Sequence, residues 1–387
     1  MNIIHVATDE KFINSAYWQF ETAFPGRNRF YLLVKDPKAP LRHVTPNDRF
    51  HLVRQQVEEI KKLARSLGDA PVFCIHGLDY FRAVWLNALG HNARVVWFLW
   101  GTEVYSNFLF FKRNDLSGPL TRAADRLSLA KLLEGIKSRS RHLYFPLIKK
   151  TDSPEREMRK AMRRAQHLGI LYEEEYEFIR KKVNPDLRFL RFSYYPIELM
   201  VADPEARVHD THILIGNSSW SSNNHLEVFE LLEKLPIGSR KLIVPLSYGE
   251  PGYRDQVIEA GTQVFGNAFQ PLMDFMPLHE YNAYLEQCGI VIMNHYRQQA
   301  LGNVLTMLWM GAKVYLNEQN TIYTFLKRIG VTVFSIEKDL RMDNKEVFAP
   351  LAQEEQEATR HILKASIGKE FLLNELRQQF QLVLDEQ

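Results

Sequence analysis

Cysteine is scarce. Cys74 and Cys288 are the only two in 387 residues, and they lie inside the apolar stretches FCIHG and EQCGIVIM. Two inert buried thiols are expected rather than a disulfide. Neither has a neighbour at metal-ligand spacing, so no zinc site is expected. Glycine and proline, at 19 and 17 residues, are neither abundant nor clustered, which excludes collagen-like and low-complexity organisation. No repeat of solenoid period occurs. The longest apolar runs, such as 95–100 and 289–293, fall far short of a membrane span. Residues 1–7 enter a strand-like run without a basic leader, so a cytoplasmic location is expected. Gly-x-Gly-x-x-Gly is absent, which weakens a nicotinamide or flavin reading, and Walker A is absent too. The Asp-x-Asp of metal-bound nucleotide sugars is also missing. No cofactor, no metal and no nucleic-acid partner are expected.

What remains is the composition of a globular protein, 45% apolar and 25% charged, at a length that suits two domains. The net charge of +3 is unevenly spread. Residues 112–164 hold 15 Lys/Arg against 6 Asp/Glu, a local balance of +9, and the rest carries about −6 by difference. Beside FLFFK and HLYFPLIKK, this block fits either a solvated helical face or contact with anionic lipid or a pyrophosphate.

Short Val-, Ile- and Phe-rich runs alternate with helical stretches, the signature of a doubly wound parallel sheet. NIIHVA, FYLLV, VFCIHG, ARVVWFLWG, HLGILY and RFLRFSYY read as strands, with helices over 79–89 and 173–182. Residues 196–211 contain two prolines and no clear period, which marks a domain boundary. The pattern then restarts with HILIG, KLIVPLSY, GIVIMN and AKVYL. Helices over 224–235, 252–260, 277–287 and 301–310 separate or flank these runs, and the tail over 353–385 is helical. The expected architecture is α/β of the GT-B type, two Rossmann-like doubly wound domains facing a cleft. Residues 1–200 would form an acceptor domain and 210–355 a donor domain. A helix within 356–387 would cross back to the first.

Two loops carry the chemistry. Gly216-Asn217-Ser218-Ser219-Trp220-Ser221-Ser222-Asn223-Asn224-His225 follows a strand and precedes a helix, where a parallel sheet presents its ligand crevice. Its small hydroxyl and amide groups suit phosphate oxygens or a sugar, and the helix start adds a positive dipole end. An N-cap by Asn224 with Glu227 is the structural alternative, yet seven Ser or Asn exceed what one cap needs. Asn294-His295-Tyr296-Arg297-Gln298-Gln299-Ala300-Leu301-Gly302-Asn303 repeats the arrangement. Arg297 offers a fork for a diphosphate, and Gly302 with Asn303 permits close backbone approach. In the first half, His76-Gly77-Leu78-Asp79 and Trp100-Gly101-Thr102-Glu103 follow strands. Glu103, His76 and Asp79 are the candidates to take a proton from a sugar hydroxyl. Asp79 also fits a helix cap, and His76 a hydrogen-bonded core histidine.

These motifs, in this order, resemble glycosyltransferase family 56. The matching stretches are Ile4-His5-Val6, His76-Gly77 and Trp100-Gly101-Thr102-Glu103-Val104-Tyr105 in the first half. In the second half they are ILIGNSSWSSNNH, IVPLSY, YLEQC, RQQALGN and GAKVYLNEQN. The resemblance implies transfer of 4-acetamido-4,6-dideoxygalactose from a TDP carrier to a lipid-linked acceptor at the inner membrane face, with a surface-polysaccharide acceptor as the alternative; the charge of 112–164, and not the resemblance, marks that segment as the expected membrane contact. It places Asn217, Ser218, Tyr248, Arg297, Gln298 and Gln299 on donor loops, with Gly216, Ser219, Gly302 and Asn303 beside them, and Glu103 where the family has an acidic residue. Alternatives of the same architecture are a transferase using a UDP- or GDP-sugar, a nucleotide-sugar 2-epimerase, and a non-catalytic sugar-binding scaffold at the membrane.

Overall fold

The computed structural model describes residues 2–126, 144–145, 147, 152–201, 203–209 and 211–386. It divides into two compact units. The first comprises Met1–Phe111, Arg139–Pro196 and Ile367–Gln387, and the second Lys112–Ser138 and Ile197–Ser366.

In the first unit β1 (Ile3–Ala7), β2 (Asn28–Val34), β3 (Phe50–Arg54), β4 (Val72–His76), β5 (Arg94–Phe98), β6 (His167–Ile170) and β7 (Arg188–Arg191) form one sheet. Its order is β3-β2-β1-β4-β5-β6-β7, and every pairing is parallel. The central strands IIHVA and VFCIH are buried at all positions, because helices cover both faces of such a sheet and no residue can face water. Cys74 is one of them; burial pushes its thiol upward in pKa. Both cysteines are buried and form no disulfide.

The second unit repeats the plan with β8 (Ile213–Ile215), β9 (Leu242–Pro245), β10 (Phe269–Leu272), β11 (Ile290–Met293), β12 (Lys313–Leu316) and β13 (Phe334–Ser335). The order is β10-β9-β8-β11-β12-β13. Strand order therefore reverses between β1 and β4 in one sheet and between β8 and β11 in the other. Connections on either side of a reversal leave toward opposite faces, so a crevice opens at the carboxyl ends of those strands.

The chain changes unit at Pro196–Ile197, and two further segments depart from a simple split into consecutive halves. The helix Pro119–Arg126 packs on the second unit's helices His225–Leu232 and Pro251–Phe265. There the Thr121 backbone N–H and hydroxyl donate to Glu227 at 2.9 and 2.6 Å. The basic block beginning at Lys112 is thus partly a docked element. Part of the expected membrane contact, residues 127–143, 146 and 148–151, lies outside the described residues. The helix Lys369–Asp385 is part of the first unit's core. Leu376, Phe380 and Val383 pack with Phe20, Phe24, Val72 and Leu190, and Phe380 meets Phe20 edge-on at 5.1 Å. Arg94 Nη1 donates to the carbonyls of Leu384 and Glu386 at 3.2 and 2.8 Å, anchoring the helix end. Among the described residues no helix is long and apolar enough to cross a membrane.

A fully buried phenyl ring holds this last helix in place, so Phe380→Ala is expected to destabilise the protein by about 3–5 kcal/mol. The urea midpoint should fall accordingly. An unchanged midpoint would mean that the helix contributes nothing to the core.

Candidate functional site

In the second unit the loops after β8 and β11, at the strand-order reversal, are knit together by side chains. Asn217 Nδ2 donates to the Tyr248 hydroxyl at 2.9 Å, and Gln299 Nε2 donates to Asn217 Oδ1 at 3.2 Å. Ser222 Oγ donates to Gln299 Oε1 at 2.8 Å. Three of the residues expected here, Asn217, Tyr248 and Gln299, are thus joined, although Asn217 and Gln299 are 82 positions apart. Gly216 supplies the turn out of β8 with φ +66; a Cβ there would stand 2.6 Å from Asn223 Oδ1 and 2.8 Å from His225 Nε2. No side chain other than glycine fits.

The individual roles differ from the sequence expectation. Ser218 and Ser219 are buried and hold the loop rather than line its surface. Ser218 Oγ accepts from Asn223 Nδ2 at 3.2 Å. The Ser219 N–H and hydroxyl both donate to the Tyr248 carbonyl at 2.8 Å. The capping box of Asn224 with Glu227 does not form. Asn224 adopts the left-handed conformation (φ 52, ψ 45) and makes no side-chain cap. Its Nδ2 donates to the Asn294 carbonyl at 2.8 Å, and its Oδ1 accepts from the Gly118 N–H at 2.8 Å. Glu227 is engaged by Thr121 instead. Arg297 Nη1 donates to the Gln298 carbonyl at 3.0 Å.

The helix Leu301–Met310 begins after Ala300, itself left-handed at φ 56, without a side-chain cap or an acidic residue in its first turn. Gly302 faces open space: a Cβ at this position would have nothing within 4 Å of it. An uncapped start leaves backbone N–H donors and the positive dipole end available to an anion. Beside it lies a cleft of about 250 Å³ at the carboxyl edge of the sheet. Asn217, Tyr248, Asp274, Phe275, Tyr281 and Asn303 are among its walls. Tyr248 is 51% and Phe275 88% exposed. Large rings left in water beside convergent polar groups are typical of ligand clefts. Asp274 and Phe275 carried no motif, since a short loop after an edge strand gives no periodic signal, and Tyr281 is one tyrosine within the helix Leu278–Leu285.

In the first unit Glu103 lies on the short helix Thr102–Tyr105 after β5 and is 4% exposed. Its Oε1 accepts from the Trp100 N–H at 3.0 Å and from Trp97 Nε1 at 3.2 Å. Oε2 is buried without a partner among the described residues. Burial raises the pKa, opposed by hydrogen bonds and by the Arg82 charge. Asp79 behaves as a cap: Oδ1 accepts from the Arg82 N–H at 2.9 Å and pairs with Arg82 Nε at 3.3 Å.

His76 belongs to a buried chain whose direction can be derived. Asn28 Nδ2 donates to the carbonyls of Phe20 and Phe24, so its Oδ1 must accept from His5 Nε2 at 3.2 Å. Burial lowers the His5 pKa to about 3, leaving a neutral ring whose Nδ1 accepts. His76 Nε2, 2.9 Å away, is then the donor. Its Nδ1 accepts from the Tyr194 hydroxyl at 2.9 Å, and Tyr194 in turn accepts from Trp100 Nε1 at 2.9 Å. Both His76 nitrogens are used, the ring is wholly buried, and burial holds its pKa well below the ordinary value. No lone pair is left for a substrate proton, so His76 serves as a core histidine. Of the three candidate bases, Glu103 is the one with a buried oxygen left uncommitted among the described residues.

Residues 175–363 match the model of the family described as 4-alpha-L-fucosyltransferase glycosyl transferase group 56. Among solved structures, the chain is similar to sucrose-phosphate synthase from Thermosynechococcus elongatus, with a TM-score of 0.63 and 10% identity over 99% of both chains. It is also similar to an alpha,alpha-trehalose-phosphate synthase (UDP-forming) from Burkholderia xenovorans, at 0.58 and 10% over 100% of both. A glycosyltransferase from Rickettsia africae gives 0.60 and 12% over 100% of both. At such identities the likeness establishes the fold, GT-B, with its two parallel sheets and alternating helices.

Four histidines with no exposed surface set an acid limit. His5 and His225 are lowered to about 3 by burial, and His76 and His295 are lowered in the same direction. Unfolding exposes them at an ordinary pKa near 6.5. The unfolded chain therefore binds more protons below that pH, and stability falls as pH drops from about 6.5 toward 3. Each such ring should cost up to about 2 kcal/mol at pH 5. Tm is expected to fall by many degrees between pH 7 and pH 5; an equal Tm would contradict the buried neutral state.

Proposed function

We propose that the chain, whose residues 175–363 match the model of the 4-alpha-L-fucosyltransferase glycosyl transferase group 56 family and whose fold is GT-B, is a glycosyltransferase that moves a 4-acetamido-4,6-dideoxygalactose-like sugar from TDP to a lipid-linked or surface-polysaccharide acceptor. The observation that carries the donor reading is the pair of loops joined through Asn217, Gln299 and Ser222 beside an uncapped helix start. The diphosphate takes the first-turn N–H groups of Leu301–Met310, with Arg297 as its cationic partner. The base and ribose take the cleft between Tyr248 and Phe275. Fixed dipoles and one guanidinium stabilise the departing charge in place of a divalent ion. The basic segment 112–164 brings the enzyme to the anionic inner face of the membrane, where its acceptor resides.

In the reaction an acceptor hydroxyl oxygen forms a bond to the anomeric carbon. The bond from that carbon to the β-phosphate oxygen breaks, its electron pair leaves on TDP, and the hydroxyl proton passes to Glu103. A carboxylate whose pKa is raised by burial is a stronger proton acceptor than one in water. Its hydrogen-bonded Oε1 fixes the orientation while Oε2 remains for the proton.

Thermal unfolding with TDP, UDP and GDP tests the donor. A nucleotide at 100 times its Kd adds about 2.7 kcal/mol. The largest shift is expected with TDP. A preference for UDP or GDP would reassign the donor, and no shift with any of them would end the donor-site reading. Glu103→Gln preserves the acceptor for the Trp100 N–H and Trp97 indole while removing the base. Turnover with a TDP-sugar should fall at least about a hundredfold while the Kd for TDP stays the same. Near-normal turnover would exclude Glu103 as the proton acceptor.

A further inference from the structure

Beneath the donor loops lies a buried amide whose orientation is fixed by its neighbours. Asn223 is 1% exposed, two residues before the helix His225–Leu232. One end of its amide lies 2.9 Å from the Asn217 backbone nitrogen, which can only donate, so that end is Oδ1. Nδ2 then donates to the Trp220 carbonyl at 3.0 Å and to Ser218 Oγ at 3.2 Å. One side chain thus closes the loop after β8 on itself at three points.

The same oxygen reaches the other loop. His295 Nε2 is 2.9 Å from Asn223 Oδ1 and must therefore carry the proton. The His295 ring is wholly buried. Burial, then the charge of Arg297, holds its pKa well below the ordinary value, so it is neutral at pH 7. Its tautomer is accordingly Nε2–H, with Nδ1 a bare acceptor that has no partner among the described residues. His225 lies alongside, buried and neutral, and its Nε2 closes the space beside Gly216.

We propose that Asn223 and His295 are positioning residues for the donor: their hydrogen bond locks the loop after β8 to the loop after β11 in the register that the diphosphate requires. Asn217 is the element they set. Its backbone N–H ends on Asn223, while its side chain bridges Tyr248 and Gln299 and forms part of the cleft wall. Without Asn223, the N–H groups of Asn217 and His295 lose their acceptor at a buried position. Such donors drive rearrangement until they find another partner, and the cleft wall moves with them. Neither residue touches the nucleotide. The inference rests on the donor reading given above.

The test is the calorimetric Kd of whichever of TDP, UDP and GDP stabilises the wild type most, measured for Asn223→Ala, His295→Leu and His295→Gln. Glutamine places an amide N–H near the position of Nε2 and so preserves the donor to Asn223. Asn223→Ala and His295→Leu are each expected to weaken binding at least tenfold, and His295→Gln to regain most of what His295→Leu loses. A role in stability alone would lower Tm without this pattern of loss and rescue. Nitrogen-15 spectra of the wild-type imidazoles, which need no variant to fold, should show His295 as the Nε2–H tautomer, with a shift on adding the nucleotide. Affinities within twofold of wild type for folded Asn223→Ala and His295→Leu would overturn the proposal, as would an Nδ1–H tautomer. A wild type that binds none of the nucleotides would instead remove the donor reading itself, whereas normal wild-type binding with insensitive variants removes only this inference.

Discussion

Strand order in each sheet reverses once, and the site depends on that constraint. In a parallel sheet built with right-handed crossovers, neighbouring strands on one side of a reversal send their helices to one face, and those on the other side send theirs to the opposite face. At β8 and β11 the two departing loops have no helix between them. Residues 216–224 and 294–300 are therefore neighbours, though Asn223 and His295 stand 72 positions apart in the chain. The amide and hydroxyl side chains in these loops find each other because the topology has already brought their backbones together. The hydrogen bonds then choose one arrangement from those that the reversal permits.

The same topology explains what could be read from the sequence. Interior strands are covered on both faces and appear as unbroken apolar runs, so IIHVA, VFCIH, RVVWF and IVIM stand out. The three strands without a legible signal, β3, β10 and β13, are all sheet edges. β3 is FHLVR, with mostly half-buried or exposed positions. β10 carries Pro271, which an edge tolerates, and β13 has only two residues. The two loops could be found because polar residues clustered between an apolar run and a helix have few structural uses. Which side chains would turn inward could not be read. Ser218 and Ser219 serve the loop itself, and Asn224 abandons the cap for Gly118 and Asn294, contacts that exist only once a distant segment has docked. The helix Pro119–Arg126 gave no hint of its place, because a charged amphipathic stretch has the same pattern on any host surface.

The first unit uses its reversal differently. There the middle of β1 and the carboxyl end of β4 hold His5 beside His76, and the polar atoms are consumed internally. In the run from Trp100, whose indole can only donate, to Asn28, whose Oδ1 accepts, Tyr194, His76 and His5 each donate once and accept once, and the fixed amide of Asn28 sets their directions. Such a chain has a single satisfied arrangement, since reversing any member would leave a buried donor facing a donor. It ties the loops after β4 and β5 to the end of β7 through uncharged contacts. The Glu103 loop thereby acquires a rigid base: Trp100 gives its indole N–H to Tyr194 and its backbone N–H to Glu103.

Both supports are polar yet neutral, and the chemistry of an anion site gives a reason. A carboxylate in place of Asn223 would accept the same two N–H groups, but it would confront the Trp220 carbonyl and set a negative charge below the position assigned to the diphosphate. In a poorly solvated interior that repulsion is weakly screened. A lysine or a protonated histidine there would attract the diphosphate before transfer as much as after it, and attraction that is uniform along the reaction does not lower the barrier. Neutral amides and imidazoles avoid both penalties. They hold direction through hydrogen bonds and leave electrostatic stabilisation to the groups proposed for the diphosphate, the start of the helix Leu301–Met310 and Arg297. Burial of His225 and His295 is what keeps this support uncharged at the pH where the enzyme works.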